Sequence, residues 1–578
     1  MNAQALFASV CWPILLALGL VWGTTRGMAR ALAPWAALPA LLAGLAAAGA
    51  TELEIGWLML GGRLGLDGIA IVMLPVTAAL WLAAGLFAQR YLDAGPRRDV
   101  FFGWFLAAMA GNLLLLVALD AIVFYLGFAL MSFASYGLVV HRGDARARHA
   151  GRYYIVLVVI GEVCIVSGLM LLASGSAIDF ASLRAGFPGP TGRGDLVTGL
   201  LVVGFGIKAG VFGLHFWLPL AHPVAPAPAS AVLSGAMIKA GLIAWMRLLP
   251  LGETALPVWG AGLAVAGLVT AGYGVLAGLP QREAKTVLAY SSISQMGLMT
   301  LAIGLGLAFP GQWQALSATL LVFMAHHALV KGSLFLGAGL VQHPLGPAAA
   351  RVAAVVLTAG AFAIAGGTMT GGLVAKQALK QAAGGIAGPW GAVVPSLLSL
   401  SSVFTALLMA RFLWIAWPRP SAGAERLPAS LLAPWLALFG ASLAVPWALA
   451  APPLRAAAAG LHAAWGGSWP VLLAGAIAFA AVGLRRAGRV PALPVVPPGD
   501  LGIPLERGVI DAGQALGRFL DQGLPRTLDV FRGAFATVIR TGPGWSDRLG
   551  RGEARIAAWS MTAALLLLVA AAFAWLMG

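Results

Sequence analysis

Four lysines stand within otherwise apolar stretches of this chain, where a charged side chain is rare. They are Lys208, Lys239, Lys331 and Lys376. A charge near the centre of a lipid bilayer costs roughly 2.5–3.5 kcal/mol on insertion scales, so it is seldom kept there without a function. Each of the four lies close to glycine, proline or histidine in the sequence. Their type and placement predict a path for charge through a membrane.

Two histidines accompany these lysines. His327 and Lys331 are four residues apart in FMAHHALVKGSLFLGAGLV, which places both on one face of a helix. His326 is expected to point away from His327, because adjacent residues do not share a helix face. His215 follows Lys208 in a stretch interrupted by glycine and proline. It either joins the charge path or bonds the carbonyl groups that the interruption frees, and both interpretations stay open.

Depth in the membrane separates Lys208 from Lys376. Lys208 lies about twelve residues from either end of its predicted helix, roughly 18 Å at 1.5 Å per residue, too far for its amine to reach the interface. Lys376 is predicted near a helix end, where a lysine can extend to the interface. Its place in the path depends mainly on the parallel with Lys208.

The elements that hold these residues must be membrane helices. Of the 578 residues, 60% are hydrophobic and only 10% charged, against about 25% charged in soluble domains. Apolar runs of spanning length recur along the chain and predict an all-α polytopic membrane protein of about sixteen transmembrane helices. The predicted spans are 5–23, 32–50, 67–87, 101–119, 121–140, 153–174, 196–219, 228–249, 257–279, 286–306, 314–340, 352–377, 390–416, 430–449, 468–484 and 557–577.

The helices around Lys208 and Lys376 are each weakened by glycine or proline, which predicts two inverted five-helix repeats with broken helices. The last part of the chain differs, because 487–556 shows a helical apolar stripe with arginines and aspartates opposite it. We expect an amphipathic helix on the membrane surface there, with a flexible cytoplasmic linker as the alternative. The predicted regions are 1–100 (N-terminal helices), 101–250 and 251–416 (repeats), 417–486 (additional helices), 487–556 (surface helix) and 557–578 (final span).

The net charge of +16 follows membrane topology. Arginines concentrate in alternate loops, as the positive-inside rule requires, which predicts periplasmic termini in a bacterial inner membrane and no nucleic-acid partner. The N-terminal apolar run lacks a basic leader and is expected to be a retained helix. Cys11 and Cys164 show no metal-ligand spacing, so no redox centre and no cofactor or metal is predicted.

Three motifs carry a resemblance to a known superfamily. HFWLPLAHPVAPAPASAVLSGAMIKAG, REAKTVLAYSSISQMGLM and HHALVKGSLFLGAG resemble signature stretches of the antiporter-like subunits of complex I, Mrp cation/proton antiporters and membrane-bound hydrogenases. The resemblance runs from about Phe101 to Arg411. Ser234 stands where many complex I subunits have histidine, which is more similar to the hydrogenase and Mrp branch. The surface helix and final span resemble the lateral-helix extension of the largest members.

The resemblance implies a role for each charged residue. Lys208 would be the lysine of the first broken helix, Lys239 the connecting lysine, and Lys376 the terminal lysine of the second broken helix. His327 and Lys331 would form the central relay. Burial disfavours the charged form of lysine and a nearby carboxylate favours it, so moving one partner loads or unloads a proton.

One family residue is missing. Members carry a glutamate in the fifth helix as partner of the first broken-helix lysine, and Ala129 occupies that position here. Glu162, on the next helix, is the hypothesised replacement, with a structural, locally hydrogen-bonded carboxylate as the alternative. Asp120 is a weaker candidate at a solvent-accessible helix boundary. Glu283 and Lys285 are expected to be solvated, and His222 to lie in a loop.

These features together predict a proton-translocating subunit of a hetero-oligomeric membrane complex, driven by a hydrogenase-like or complex I-like oxidoreductase. An Mrp-type antiporter subunit that exchanges Na⁺ or K⁺ for protons is the alternative. The membrane subunit of an inorganic-carbon uptake system, with a zinc-dependent partner, is a further one. The absent glutamate also leaves open a structural subunit whose channel is inactive.

Overall fold

The structure is a computed structural model that describes residues 3–46, 52–55, 62–92, 96–173, 178–421, 427–487 and 497. Helices dominate it. The N-terminal elements are α1 (Ala3–Gly19), α2 (Gly23–Leu32), α3 (Leu38–Leu45), strands β1 (Leu53–Ile55) and β2 (Gly62–Leu64), and α4 (Gly68–Tyr91). The two strands form an antiparallel hairpin in which Glu54 is opposite Arg63.

The next region contains the first interrupted helix. Its elements are α5 (Pro96–Val117), α6 (Ala121–Val139), α7 (Ala145–Leu172), α8 (Phe180–Ala185), α9 (Arg193–Ala209), α10 (Trp217–Val224), α11 (Ala227–Val232) and α12 (Lys239–Leu248). A single π-helical turn, Leu233–Met237, joins α11 to α12. The span from α11 through α12 is fully buried. Gly143–His149, where α7 begins, belongs to a second compact unit.

The second half repeats the use of long helices with one interruption. Its elements are α13 (Pro257–Gly278), α14 (Ala284–Ala308), α15 (Trp313–Leu340), α16 (Pro347–Ala365), α17 (Gly371–Gly384), α18 (Pro389–Ala416), α19 (Ala429–Leu449), α20 (Pro452–Ala459) and α21 (Leu461–Arg486). Only Glu283 among the acidic residues lies between α13 and the end of α18.

Twelve helices within the described ranges are long and apolar enough to cross a membrane, or thirteen if the bent segment from α2 to α3 is one span. The predicted count of sixteen is therefore not confirmed. The helix α1 is shorter than a span, and α9 has 17 residues because its segment is interrupted. The predicted surface helix (487–556) and final span (557–578) lie outside the described residues, apart from residues 487 and 497.

Glycines allow two helix pairs to pack with their backbones in contact. A methyl group on Gly267 of α13 would lie 2.6 Å from the carbonyl oxygen of Gly297 in α14. The same measurement from Gly111 of α5 to the carbonyl of Gly127 in α6 is also 2.6 Å. Both distances are shorter than a carbon–oxygen contact, so only glycine fits and the helices lie closer than larger side chains permit. We refer to the first contact, between α13 and α14, as the glycine seam.

Arg247 fastens three helices at one end of the bundle, although the sequence analysis did not select it. Its guanidinium is buried, forms an ion pair with Asp67 at 2.8 Å, and donates to the carbonyl oxygens of Leu115 and Leu116 at 2.6 and 2.7 Å. Asp67 in turn accepts the N–H of Ala70 at 2.7 Å and caps α4. Arg247 thus satisfies the free carbonyl groups at the end of α5 and links it to α4 and α12.

Asp120 is a buried helix cap, which corrects the expectation that solvent reaches it. It is fully buried and accepts the N–H groups of Ile122, Val123 and Arg63 at 2.6–2.9 Å. Burial raises the pKa of Asp120, while these three hydrogen bonds act to lower it. The carboxylate serves the start of α6.

Candidate functional site: a chain of buried lysines and histidines

Lys208 is held at the end of α9, just before the first interruption. Gly210 ends the helix with a left-handed φ of +72° and donates its N–H to the carbonyl oxygen of Gly206. The Lys208 amine is buried, lies 5.6–5.9 Å from the ring centres of Phe128, Tyr154 and Trp217, and donates to the Tyr154 hydroxyl at 3.2 Å. Aromatic faces attract a desolvated cation, so this environment tolerates a charged amine.

Glu162 and Lys208 line one small enclosed cavity. Its volume is about 10 Å³ for water-sized probes, which is room for roughly one water molecule. Glu162 interacts electrostatically with Lys208, and the Tyr125 hydroxyl approaches its carboxylate as a hydrogen-bond donor. Its Oε2 atom makes no hydrogen bond to the described residues, and the hydroxyl of Ser132 lies beside the carboxylate. The cavity therefore joins an acid and a base that have spare hydrogen-bonding capacity.

The carboxylate in this cavity comes from α7 rather than α6. Phe128 and Ser132, which flank Ala129 on α6, line the cavity beside Lys208. Ala129 itself is buried and brings no polar group. A carboxylate of α7 thus lies beside Lys208, whereas α6 brings aromatic but no acidic side chains to this lysine.

Lys239, His327 and Lys331 form the central cluster, and all three are completely buried. The Lys239 amine is 2.6 Å from Nδ1 of His327 and donates to the Ser234 carbonyl oxygen in the π-helical turn at 2.5 Å. The Lys331 amine donates to the Leu288 carbonyl oxygen at 2.9 Å. The π-turn thus provides an acceptor for a lysine that lies only five residues further on.

His222 and Lys285 extend this cluster, and both correct an expectation. His222 lies in α10, fully buried and stacked on Phe335 with ring centres 4.5 Å apart, and not in a loop. Lys285 is 5% exposed and donates to the Ala225 carbonyl oxygen at 2.6 Å, so it is not solvated. His222 interacts electrostatically with Lys285, Lys331 and Lys239. The density of prolines around His222 favours a loop in sequence, but three short helices form there.

Lys376 lies beyond the second interruption, in α17. Gly366 ends α16 with a left-handed φ of +86°, and Met369 has a φ of 62° in the same interruption. The Lys376 amine is buried and donates to the Ala365 carbonyl oxygen at 2.9 Å and the Ser402 hydroxyl at 3.2 Å. Its side chain is therefore enclosed by the protein rather than extended to the surface. Within the described part of the chain, no carboxylate is hydrogen-bonded or ion-paired to it.

His215 lies within the first interruption, fully buried in an aromatic group. Its ring centre is 5.0 Å from Tyr273, 5.1 Å from Phe216 and 6.1 Å from Phe212. The structure thus places it in the broken helix, while Lys208 packs against a different set of rings. Among the residues that the structure describes, no group of three or more His, Cys, Asp or Glu is arranged to hold a metal ion.

Comparisons with known proteins agree with this arrangement. Residues 118–379 match the family model described as NADH:quinone oxidoreductase/Mrp antiporter, TM. The chain is 34% identical over 287 residues to hydrogenase-4 component B of Escherichia coli (strain K12), covering 48% of this chain and 43% of that protein. The alignment thus spans less than half of that relative. NADH-quinone oxidoreductase subunit N of Desulforudis audaxviator (strain MP104C) is 31% identical over 415 residues, covering 65% of this chain and 80% of that subunit.

A solved structure shares the fold. A chain of the Mrp complex from Dietzia sp. DQ12-45-1b superposes with a TM-score of 0.74 at 22% identity, covering 94% of this chain and 62% of that one. The fold therefore recurs in a chain of a solved membrane complex.

Proposed function

Since the chain belongs to the NADH:quinone oxidoreductase/Mrp antiporter transmembrane family, we propose that it is the proton-translocating subunit of a multisubunit membrane complex. The buried cluster of Lys239, His327 and Lys331, flanked by Lys208 and Lys376, is the observation that carries this proposal. Apolar residues would pack the interior of a membrane protein better than five titratable side chains do. Packing therefore does not explain why these residues are there.

Lysine and histidine suit proton transfer in such a place. A buried amine is easily neutralised, because burial disfavours its charged form, and a nearby carboxylate or second amine then decides whether it holds a proton. At the first interruption Glu162 is such a carboxylate, and the cavity that it shares with Lys208 has room for one bridging water. We propose that Glu162 controls Lys208 and that His215 joins this end of the path. The protons then continue through Lys239, His327 and Lys331 to Lys376.

The internal architecture supports two inverted repeats, 101–250 and 251–416. Each begins with a helix pair packed through glycines, α5 with α6 and α13 with α14. In each, the fourth spanning segment is interrupted at a glycine of positive φ, Gly210 or Gly366, next to a buried lysine. The positive-inside rule supports a cytoplasmic position for the arginine-rich loops and a periplasmic position for both termini.

We propose a hydrogenase-like or complex I-like oxidoreductase as the driving partner, in which all redox groups lie in other subunits. The similarity to hydrogenase-4 component B supports this choice. An Mrp-type assembly that exchanges Na⁺ or K⁺ for protons is the second candidate, supported by the shared fold with the Mrp complex.

Purification of the chain with its native partners, followed by reconstitution into liposomes that contain a pH-sensitive dye, tests the proposal. We expect the internal pH to change when the partner reaction is started or a membrane potential is imposed. Lys331→Met should abolish this change, whereas Arg351→Gln, an exposed residue at the start of α16, should preserve it. Equal proton movement by wild type and Lys331→Met would refute translocation through this chain. Iron–sulfur subunits or small antiporter subunits in the purified complex would decide between the two partners.

A further inference from the structure

We propose that His326, which the motif resemblance leaves without a role, carries protons between the central cluster and Lys376. This inference rests on the proposed function of the chain as a proton-translocating subunit. His326 belongs to α15, is 1% exposed, and directly precedes His327. Successive residues of a helix point about 100° apart, so the two imidazoles face different neighbours.

His327 and His326 indeed contact different parts of the bundle. His327 faces Lys239 of α12, with 2.6 Å between its Nδ1 and the amine. His326 faces the start of α17, the helix that carries Lys376, and interacts electrostatically with that lysine. Two consecutive side chains thus reach from the central cluster to the second interrupted helix.

The start of α17 is shaped around the His326 ring. A methyl group on Gly371 would lie 2.9 Å from Nδ1 of His326, and one on Gly372 would lie 3.0 Å from Nε2. A methyl group on Gly371 would lie closer still to Pro446, and one on Gly372 to the carbonyl oxygen of Ala363, so the two glycines let the backbone of α17 pack against these groups and the ring together. The site of close approach is thus the first turn of the helix that carries Lys376.

Both ring nitrogens of His326 lack a hydrogen-bond partner among the described residues. Backbone groups of Ala363 and Ser442 lie close to the ring and interact with it weakly. A polar group without a good partner in an apolar interior is destabilising, and a helix position that faces glycines could hold an apolar residue without this cost. A proton-carrying role explains a buried imidazole that no side chain holds by a hydrogen bond, because one nitrogen must receive a proton and the other release it.

The transfer step is balanced without any further reactant. An N–H bond of the Lys376 ammonium breaks while an N–H bond forms on one ring nitrogen of His326. The opposite nitrogen then releases its proton toward the central cluster, which leaves a neutral imidazole. The reverse sequence moves a proton outward, and no electrons are transferred.

His326→Gln is the decisive variant, because glutamine keeps a hydrogen-bond donor and acceptor but does not titrate. We expect proton translocation by the reconstituted complex to fall at least roughly tenfold, while co-purification of the partner subunits stays unchanged. His326→Asn serves if the glutamine variant fails to assemble. A role limited to filling space or bonding nearby carbonyl groups predicts retained activity in both variants, and more than half of the wild-type rate would overturn the proposal.

Two further measurements separate this inference from the proposed function. If Lys331→Met abolishes translocation and His326→Gln does not, the proposed function stands and the role of His326 is wrong. If neither variant has an effect, the proposed function itself fails. In the double variant His326→Gln/Lys376→Met, groups that act in series predict no greater loss than in Lys376→Met alone, whereas multiplied losses would place His326 outside the path to Lys376.

Discussion

The two interrupted helices share the same backbone geometry at the interruption, but their lysines have different chemical partners. Both end their first half at a left-handed glycine, Gly210 or Gly366, and both bury a lysine amine beside the interruption. Lys208 lies among three aromatic rings and shares a cavity with Glu162. Lys376 donates to a carbonyl and a hydroxyl oxygen.

The lack of a carboxylate near Lys376 extends to the sequence. No aspartate or glutamate occurs between Glu283 and Glu425, so the second repeat has no acidic residue near Lys376 along the chain. A neutral partner stabilises a protonated amine less than a carboxylate does. Under the proposed function, Lys208 thus has a carboxylate that can favour its protonated form, whereas Lys376 has only neutral hydrogen-bond partners among the described residues. The comparison teaches that equivalent positions in a repeat need not have equivalent chemistry.

The largest expected effect is loss of either lysine. Lys208→Met and Lys376→Met keep the side-chain length but cannot hold a proton, so each should reduce proton translocation on the order of 100-fold. Translocation by the reconstituted complex measures both. Lys380→Met is the matched control in α17, because Lys380 is only partly buried, and we expect it to keep most of the activity. Full activity of Lys376→Met would remove the second interruption from the path.

Glu162→Gln tests what distinguishes the first interruption. Glutamine fills the same volume but cannot attract the Lys208 ammonium, so we expect translocation to fall roughly tenfold without loss of assembled complex. Glu253→Gln is the control, because Glu253 forms only an exposed ion pair with Arg184. If Glu162→Gln translocates like wild type, Glu162 is a structural carboxylate and the two interruptions differ less than we infer.

Ser402→Asp introduces a carboxylate beside Lys376, as Glu162 provides one beside Lys208. The Ser402 hydroxyl is 3.2 Å from the Lys376 amine, so an aspartate there would face the ammonium directly. We expect the charged form of Lys376 to be favoured and translocation to slow by about fivefold, because proton release becomes harder. Ser402→Ala, which only removes one hydrogen bond, should change the rate by less than about twofold. A faster Ser402→Asp variant would contradict the view that Lys376 must release its proton easily.

The smallest effects concern the backbone of the interruptions. Met369 adopts a φ of 62° and is 65% exposed, so Met369→Gly removes strain with little loss of packing. We expect it to raise the apparent melting temperature in detergent by about 1 °C. Gly210→Ala should lower it by a few degrees, roughly 2–4 °C, because its φ is +72° and the new methyl would lie 2.4 Å from Cδ1 of Leu218. A stabilising Gly210→Ala would show that the first interruption relaxes easily.

Hydropathy predicted the helices of this chain well, because a membrane span requires a long run of apolar residues that is visible in the sequence alone. The count was less certain. A span that is interrupted at glycine, such as the one that contains α9, forms helices shorter than a full span. One apolar stretch of sequence nevertheless continues through the interruption.

The residues of the candidate site that could be predicted are the charged ones that interrupt apolar stretches of the sequence. The spacing of His327 and Lys331 placed them on one helix, and Lys208 was expected to be deep. His222 and Lys285 were misjudged because their burial depends on neighbouring helices that no local pattern encodes. Arg247 was missed because its partners are carbonyl groups of α5, more than 130 residues away in sequence. Contacts of this kind depend on tertiary packing alone.

The glycine seam has an electrical consequence. A membrane potential of 100 mV stores about 2.3 kcal/mol per elementary charge, and any continuous file of water beside the intended path would dissipate it. Where the backbone of α13 at Gly267 touches that of α14 at Gly297, no water molecule fits between the helices. The helix that carries Lys285 and the Leu288 carbonyl bound by Lys331 is thus sealed on one side along this contact. Under the proposed function, this contact insulates one side of the proton path, and we expect a bulkier residue at Gly267 to raise the leak of ions beside it.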